Sequence, residues 1–199
     1  MPDIKHFSPD TALESVLRLF WRQGFATTGI QDIVTTTGLN RSSLYATFGG
    51  KQELYRAALG RYLERRSRPS FRRLVEKDRG LPAVAKFFEK LVEARCAGEF
   101  AHWGCLISNA HAGAETSDPQ VRALLDRHHV ELRDALQTAL VAAQEQGQLA
   151  AGVDPSASAE MLALLAYGVN LRSRGGADAS ALRATVRATL QTLNDRPCV

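Results

Sequence analysis

A chain of 199 residues with 45% hydrophobic content has material for a substantial core, as one large domain or as a small head on a larger body. Its formal charge of +4 is uneven: residues 1–80 hold 14 Lys or Arg against 8 Asp or Glu, and residues 81–199 hold 11 against 13, so a polyanionic partner would meet the first part. No apolar run approaches the ~18 residues of a membrane span, no start resembles a secretion signal, and Cys96, Cys105 and Cys198 form no paired framework, so a reducing cytoplasm with free thiols is expected.

In chain order, Leu13, Val16, Leu17 and Phe20 predict an amphipathic first helix that ends near Gly24. Thr27 and Thr28 can supply an N-cap hydroxyl to a second helix, in which Ile30, Ile33 and Val34 recur at helical spacing. Gly38 then stands where the chain must turn sharply. Leu39 and Leu44 resume the apolar face, with Phe48 also assigned to the core. Between the two leucines lie Asn40, Arg41, Ser42 and Ser43, small or hydrogen-bonding side chains that face outward toward a groove. A helix, a tight Gly turn and a second short helix make the layout of a DNA-reading helix-turn-helix.

Lys51 to Leu63 predict the next helix, and the Arg-rich stretch RYLERRSRPSFRR with Pro69 reads as the passage to a second domain. Further helices are expected from about Leu81 to Gly98, from Cys105, from Asp118 to Gln146, from Ser156 to Arg172 and from Ala179 to Leu193. Asp118 as N-cap followed by Pro119 is a clear start signal. The whole reads as all-α, with about nine helices. The last two are rich in small and apolar side chains, Leu162, Leu165, Ala166 and Val169 on one and Leu182, Val186, Thr189, Leu190 and Leu193 on the other. They could pack against their copies across a two-fold axis or serve as intramolecular core.

The run from Ala12 to Leu59, above all GLNRSSLYATFGGKQELY, resembles the TetR family of bacterial transcriptional regulators, in which residues like Tyr45, Phe48, Lys51 and Leu54 recur at this spacing. The resemblance implies a three-helix DNA-binding head over residues 1–55 and a helical effector-binding and dimerisation domain over 56–199. A homodimer would join through the last two helices, a palindromic double-stranded operator would be bound, and a small-molecule effector would release it, most simply as a repressor. It also implies a phosphate contact for Lys51, at a helix start where backbone N–H groups favour an anion. Thr28 could cap or touch phosphate. Tyr45 and Thr47 would meet backbone or a thymine methyl, and Asn40, Arg41, Ser42 and Ser43 would read bases, Arg41 foremost because guanidinium can fork onto guanine. The cluster of Arg61, Arg65, Arg66, Arg68, Arg72 and Arg73 reads as a solvated or interdomain face.

Candidate effector contacts in the second domain are Phe87, Phe88, Leu91, Trp103, Leu106, Asn109, Leu125, His128, Tyr167 and Leu171, apolar walls with few polar handles, each of which could equally be plain core. Cys105 within HWGCL places a thiol at a helix start, where the dipole favours thiolate. It is either a sensor of electrophiles, as in some TetR-type regulators similar around a GCL segment, or inert packing. His102 with Cys105 is too small a set for a metal site, and His128 and His129 diverge on a helix, so no metal or cofactor is expected. The sequence lacks a phosphate loop, HExxH and GxSxG, which argues against an enzyme. The competing class is a helical adaptor whose DNA-binding head no longer functions.

Overall fold

The structure, a computed structural model, describes residues 8–76 and 80–194. Cys198 lies outside them. Those residues are helical and contain no strand. Helix α1 (Pro9–Gln23) starts on Ser8 and Pro9 and stops at Gly24. Helices α2 (Ile30–Thr37) and α3 (Arg41–Phe48) follow. Lys51–Tyr62, a π-helical turn over Leu63–Ser67 and Arg68–Leu74 then run on as one rod, α4. The remaining helices are α5 (Gly80–Cys96), α6 (Leu106–His111), α7 (Pro119–Glu145), α8 (Pro155–Arg174) and α9 (Ala179–Gln191), with a short 3-10 turn at Ala114–Ser117. Nine helical rods result among the described residues.

The Arg-rich segment around Pro69 is therefore a helical passage and not a loop. Proline lacks an N–H and its ring clashes with the carbonyl four residues back, which would be Arg65. The π turn lies at that place and widens the ladder, so the rod absorbs the proline and continues. The rod's arginines are also more engaged than a solvated face would be. Arg61 pairs with Asp10 of α1, Arg65 donates to Glu14 at 3.4 Å, and Arg68 grips Glu131 of α7 through two N–H groups at 3.1 and 3.2 Å.

Two cores divide the molecule. The first gathers Val16, Leu17, Phe20 and Trp21 of α1 with Ile33, Leu44 and Leu54, and extends into the second half through Leu106, Ile107 and Leu125. The second joins α5, α7, α8 and α9 around Phe88, Val92, Leu136, Leu140 and Leu162. Of the two placements their spacing allows, Leu162, Ala166, Val169, Leu182, Val186 and Leu193 take the second and lie buried in this intramolecular core, where the two-fold interface is not; Leu165 and Leu190 pack partly buried against it. The exposed apolar residues of α8 are instead Met161, Leu164 and Leu171, the last two about three-fifths exposed. No described helix is long and apolar enough to cross a membrane.

Candidate nucleic-acid interface

The turn between α2 and α3 depends on Gly38, whose φ of 68° is left-handed and whose N–H closes onto the Val34 carbonyl at 2.9 Å. Leu39 and Leu44 are buried and Phe48 half-buried, so α3 is clamped to the first core along one side. Its other side presents Arg41, Ser42, Tyr45, Ala46 and Thr47 to solvent, with Ser43 between the two. The Arg41 guanidinium lies 5.8 Å from the Tyr45 ring centre, which pre-orients both side chains.

Two of the proposed DNA contacts sit differently from expectation. Asn40 is the N-cap of α3: its Oδ1 accepts from the Ser43 N–H at 2.8 Å and from the Ser42 hydroxyl at 2.9 Å. Thr28 does not cap α2. Gly29 holds that position, with its N–H donating to Asp32 at 2.7 Å, while Thr28 is fully buried and its hydroxyl donates to the Gly24 carbonyl at 2.6 Å. With no exposed surface to offer a phosphate, Thr28 closes the turn after α1. Thr27 bonds back in the same way, to the Gln23 carbonyl. Lys51 is the first residue of α4, three residues after the end of α3, and its Nζ stands 4.2 Å from the Phe25 ring centre.

The head is tied to the rest of the chain by two sets of contacts that sequence reasoning missed, because they join residues far apart. Trp21, fully buried, donates its indole N–H to the Gly104 carbonyl at 3.0 Å and stacks on Phe100, with Trp103 and Tyr62 edge-on. Asp118 caps α7 and also accepts from Gln52 at 2.6 Å and from Arg56 at 2.9 Å, both on α4. The Gln52 amide first, then the Gln120 N–H and Arg56, hold its carboxyl down at about 2 despite some loss of water.

The family model described as bacterial regulatory proteins, tetR family, matches residues 12–58, and that described as tetracyclin repressor-like, C-terminal domain, matches residues 80–189. The chain belongs to the TetR family. It is a DNA-binding transcriptional regulator and not an enzyme. Among TetR relatives, it is 28% identical over 188 residues to the HTH-type transcriptional repressor ComR of Escherichia coli, an alignment that covers 94% of this chain and 89% of ComR. A cysteine mutant of the TetR-family regulator CifR, solved in complex with 26-bp double-strand operator DNA, superposes with a TM-score of 0.83 at 26% identity, covering 95% of this chain and 98% of that one. Reduced NemR of E. coli shares the fold, with a TM-score of 0.78 at 21% identity, covering 96% of this chain and 98% of that one.

Within the TetR-like C-terminal region the expected effector residues are dispersed. Phe87 and Leu91 line a cavity of about 330 Å3 between α4 and α5. Phe88 lies against an open groove of about 830 Å3 between α5 and α9. Leu106, Asn109 and Leu171 border a cleft of about 270 Å3 beside the head. Leu125 and His128 are buried, while Trp103 packs on Trp21. Cys105 is buried as the N-cap residue of α6, within the first core that also holds Tyr62. Tyr167 is ringed by His111, His128 and His129, an arrangement that sequence spacing alone did not reveal for His111. No trio of ligating side chains suited to a metal occurs among the described residues.

Proposed function

We propose that this protein is a cytoplasmic repressor that binds a palindromic operator as a homodimer and is released by a small-molecule or electrophile signal. The observation that carries the reading is the outer face of α3, where Arg41, Ser42, Tyr45 and Thr47 stand exposed on a helix whose opposite side is locked into the core, with Lys51 next to them. A rigid, groove-sized helix flanked by a cation at a helix start is what positioning on phosphate and reading of base edges require. The likeness to ComR, a repressor, and to CifR, solved on operator DNA, supports it.

Two-fold assembly is supported by the surface of the last two helices. Met161, Leu164, Gly168 and Leu171 recur every three to four residues along exposed α8, and Ala181, Ala184, Thr185 and Ala188 give exposed α9 a small-residue face. Together they suit a four-helix contact between copies, which would present two reading helices to two half-sites. Release by an electrophile would act through Cys105, since the neighbouring Gly104 carbonyl is the acceptor for Trp21 of α1.

The test is fluorescence anisotropy on labelled duplex from beside the protein's own gene, against a scrambled duplex, over a salt series. Preferential binding with a steep salt slope is expected. Lys51→Ala should weaken binding to all sequences and flatten the slope by about 1, whereas Arg41→Ala should cost about 1–3 kcal/mol and relax preference at one position per half-site. Absence of binding at low salt would favour the adaptor reading. A Cys105→Ser variant that responds normally to electrophiles would remove that branch.

A further inference from the structure

The cavity between α4 and α5 has an unusual charge. Three cations of α4 line it, Arg65, Arg66 and Arg73, and three of α5, Lys86, Lys90 and Arg95, and no carboxylate does. Three of the six are partnered along the rim: Lys86 with Glu89 at 2.6 Å, Lys90 with Glu93 at 2.7 Å, and Arg65 with Glu14 at 3.4 Å. Arg66, Arg73 and Arg95 have no carboxylate within 4.0 Å among the described residues. Arg73 bears on Lys90 as a like charge. Arg95 is held by neutral groups, donating to Asn170 at 2.6 Å and to Tyr62 at 3.1 Å.

Collecting cations around a concave, low-dielectric wall raises the local concentration of anions. It costs self-repulsion, which the rim pairs offset at Lys86, Lys90 and Arg65 and no carboxylate within 4.0 Å among the described residues offsets at Arg66, Arg73 and Arg95. The floor is apolar, built from Leu74, Phe87 and Leu91, and the volume of about 330 Å3 falls at the small end of the range for ligand sites. A bare inorganic anion would leave that floor wet, and a neutral hydrocarbon would leave the guanidinium groups unpaired.

We propose that this cavity binds a small amphipathic anion, a carboxylate or phosphate monoester carried on a compact apolar body, and that this anion is the effector. The second half of the statement rests on the regulator reading above. Arg66 lies 4.9 Å from the Trp21 ring centre and 4.4 Å from that of Phe100, and Arg95 lies 5.8 Å from Trp21. These two guanidinium groups are therefore shared between the cavity and the tryptophan that seats α1 on the body. An acid group in the cavity competes with the indole face for them, changes the seat of α1 and thereby shifts the reading helix. Linkage then requires the operator-bound state to bind the anion less well, by the same factor.

Full-length protein is titrated by calorimetry with naphthoate, naphthyl phosphate, naphthol and inorganic phosphate. Naphthoate or naphthyl phosphate should bind at least tenfold more tightly than naphthol and than inorganic phosphate. An Arg66→Gln/Arg73→Gln double variant should lose at least tenfold in that affinity. Arg183→Gln, in the groove between α5 and α9, should lose nothing. If circular dichroism shows the double variant misfolded, Arg73→Gln alone, at an exposed position, should still lose severalfold. Binding of neither anion, equal binding of naphthol or of inorganic phosphate, or wild-type affinity in these Arg variants would overturn the site. With the anion bound, anisotropy on duplex from beside the gene should report at least tenfold weaker operator binding than in acetate of equal ionic strength. Operator affinity indifferent to a bound anion would overturn the effector role. A protein that binds the anion but no DNA in its absence would instead sink the regulator reading and leave the anion site standing.

Discussion

Asn40 shows how capping and reading compete for the same residue types. A short polar side chain at the start of a reading helix is equally suited to a base edge and to the orphan N–H groups of the first turn. Sequence alone puts Asn40 outward with Arg41, Ser42 and Ser43, and outward it is, but with Oδ1 committed to the Ser43 N–H and the Ser42 hydroxyl. Thr28 likewise has the composition of a contact and the position of a buried tie. By contrast, the roles of Leu39, Leu44 and Gly38 were legible, because apolar spacing and a required left-handed turn have few alternative explanations. Asn40→Ala should cost about 1 kcal/mol of stability, read from the urea midpoint, through loss of the cap. Because a frayed helix misplaces every reading side chain together, operator affinity should fall evenly over operator sequences. A loss confined to one base pair would show that Asn40 reads that base.

Among the elements, α8 is the one whose surfaces the sequence could not sort. It carries apolar residues on two stripes: Leu162, Ala166 and Val169 on one, Met161, Leu164, Gly168 and Leu171 on the other. Periodicity marks both and cannot say which faces the same chain, since that depends on where α7 and α9 lie. The richer stripe is the internal one, buried to within a few per cent. Leu164 is the central test of the outer stripe, being 59% exposed and so costing the isolated fold little when replaced. Leu164→Arg should yield monomers by sedimentation at concentrations where the parent chain is dimeric, because it places a desolvated charge against its own copy. Operator affinity should drop with it, since a monomer engages one half-site. A variant that remains dimeric would move the interface elsewhere. The α4 rod is the complementary case: proline chemistry pointed to a boundary, and a π turn four residues earlier allowed the helix to pass through it.

At the scale of the whole molecule, acid should act in order on two places, a histidine buried inside the second half and a carboxylate that ties that half to the start of α4. His128 sits where α4, α6, α7 and α8 meet, 5.3 Å from the Phe71 ring, with Tyr167 3.5 Å from its Nδ1 and with His111 and His129 nearby. Burial first, then the fields of His111 and His129, push its pKa from 6.5 down to about 3. His111 shifts in the same direction, also chiefly through burial, against the opposing pull of Asp126. A histidine depressed in the folded state stays neutral there while the unfolded chain takes up a proton. Its contribution is therefore intact above about pH 6.5 and declines as pH falls toward 3, by up to about 1.4 kcal/mol per pH unit. Asp118 acts lower: its folded value of about 2 lies below the ordinary 3.8, so its contribution holds above about pH 4 and is lost between there and pH 2. Unfolding free energies from urea titrations at pH 2–8 should fall with acid below pH 6.5 in the parent chain, and His128→Leu should remove close to one proton from the slope between pH 4 and 6.5. Asp118→Asn should leave this range almost unaltered in slope and flatten the decline below pH 4. An unchanged slope in His128→Leu would mean that another group, His111 first, carries the acid sensitivity of the fold.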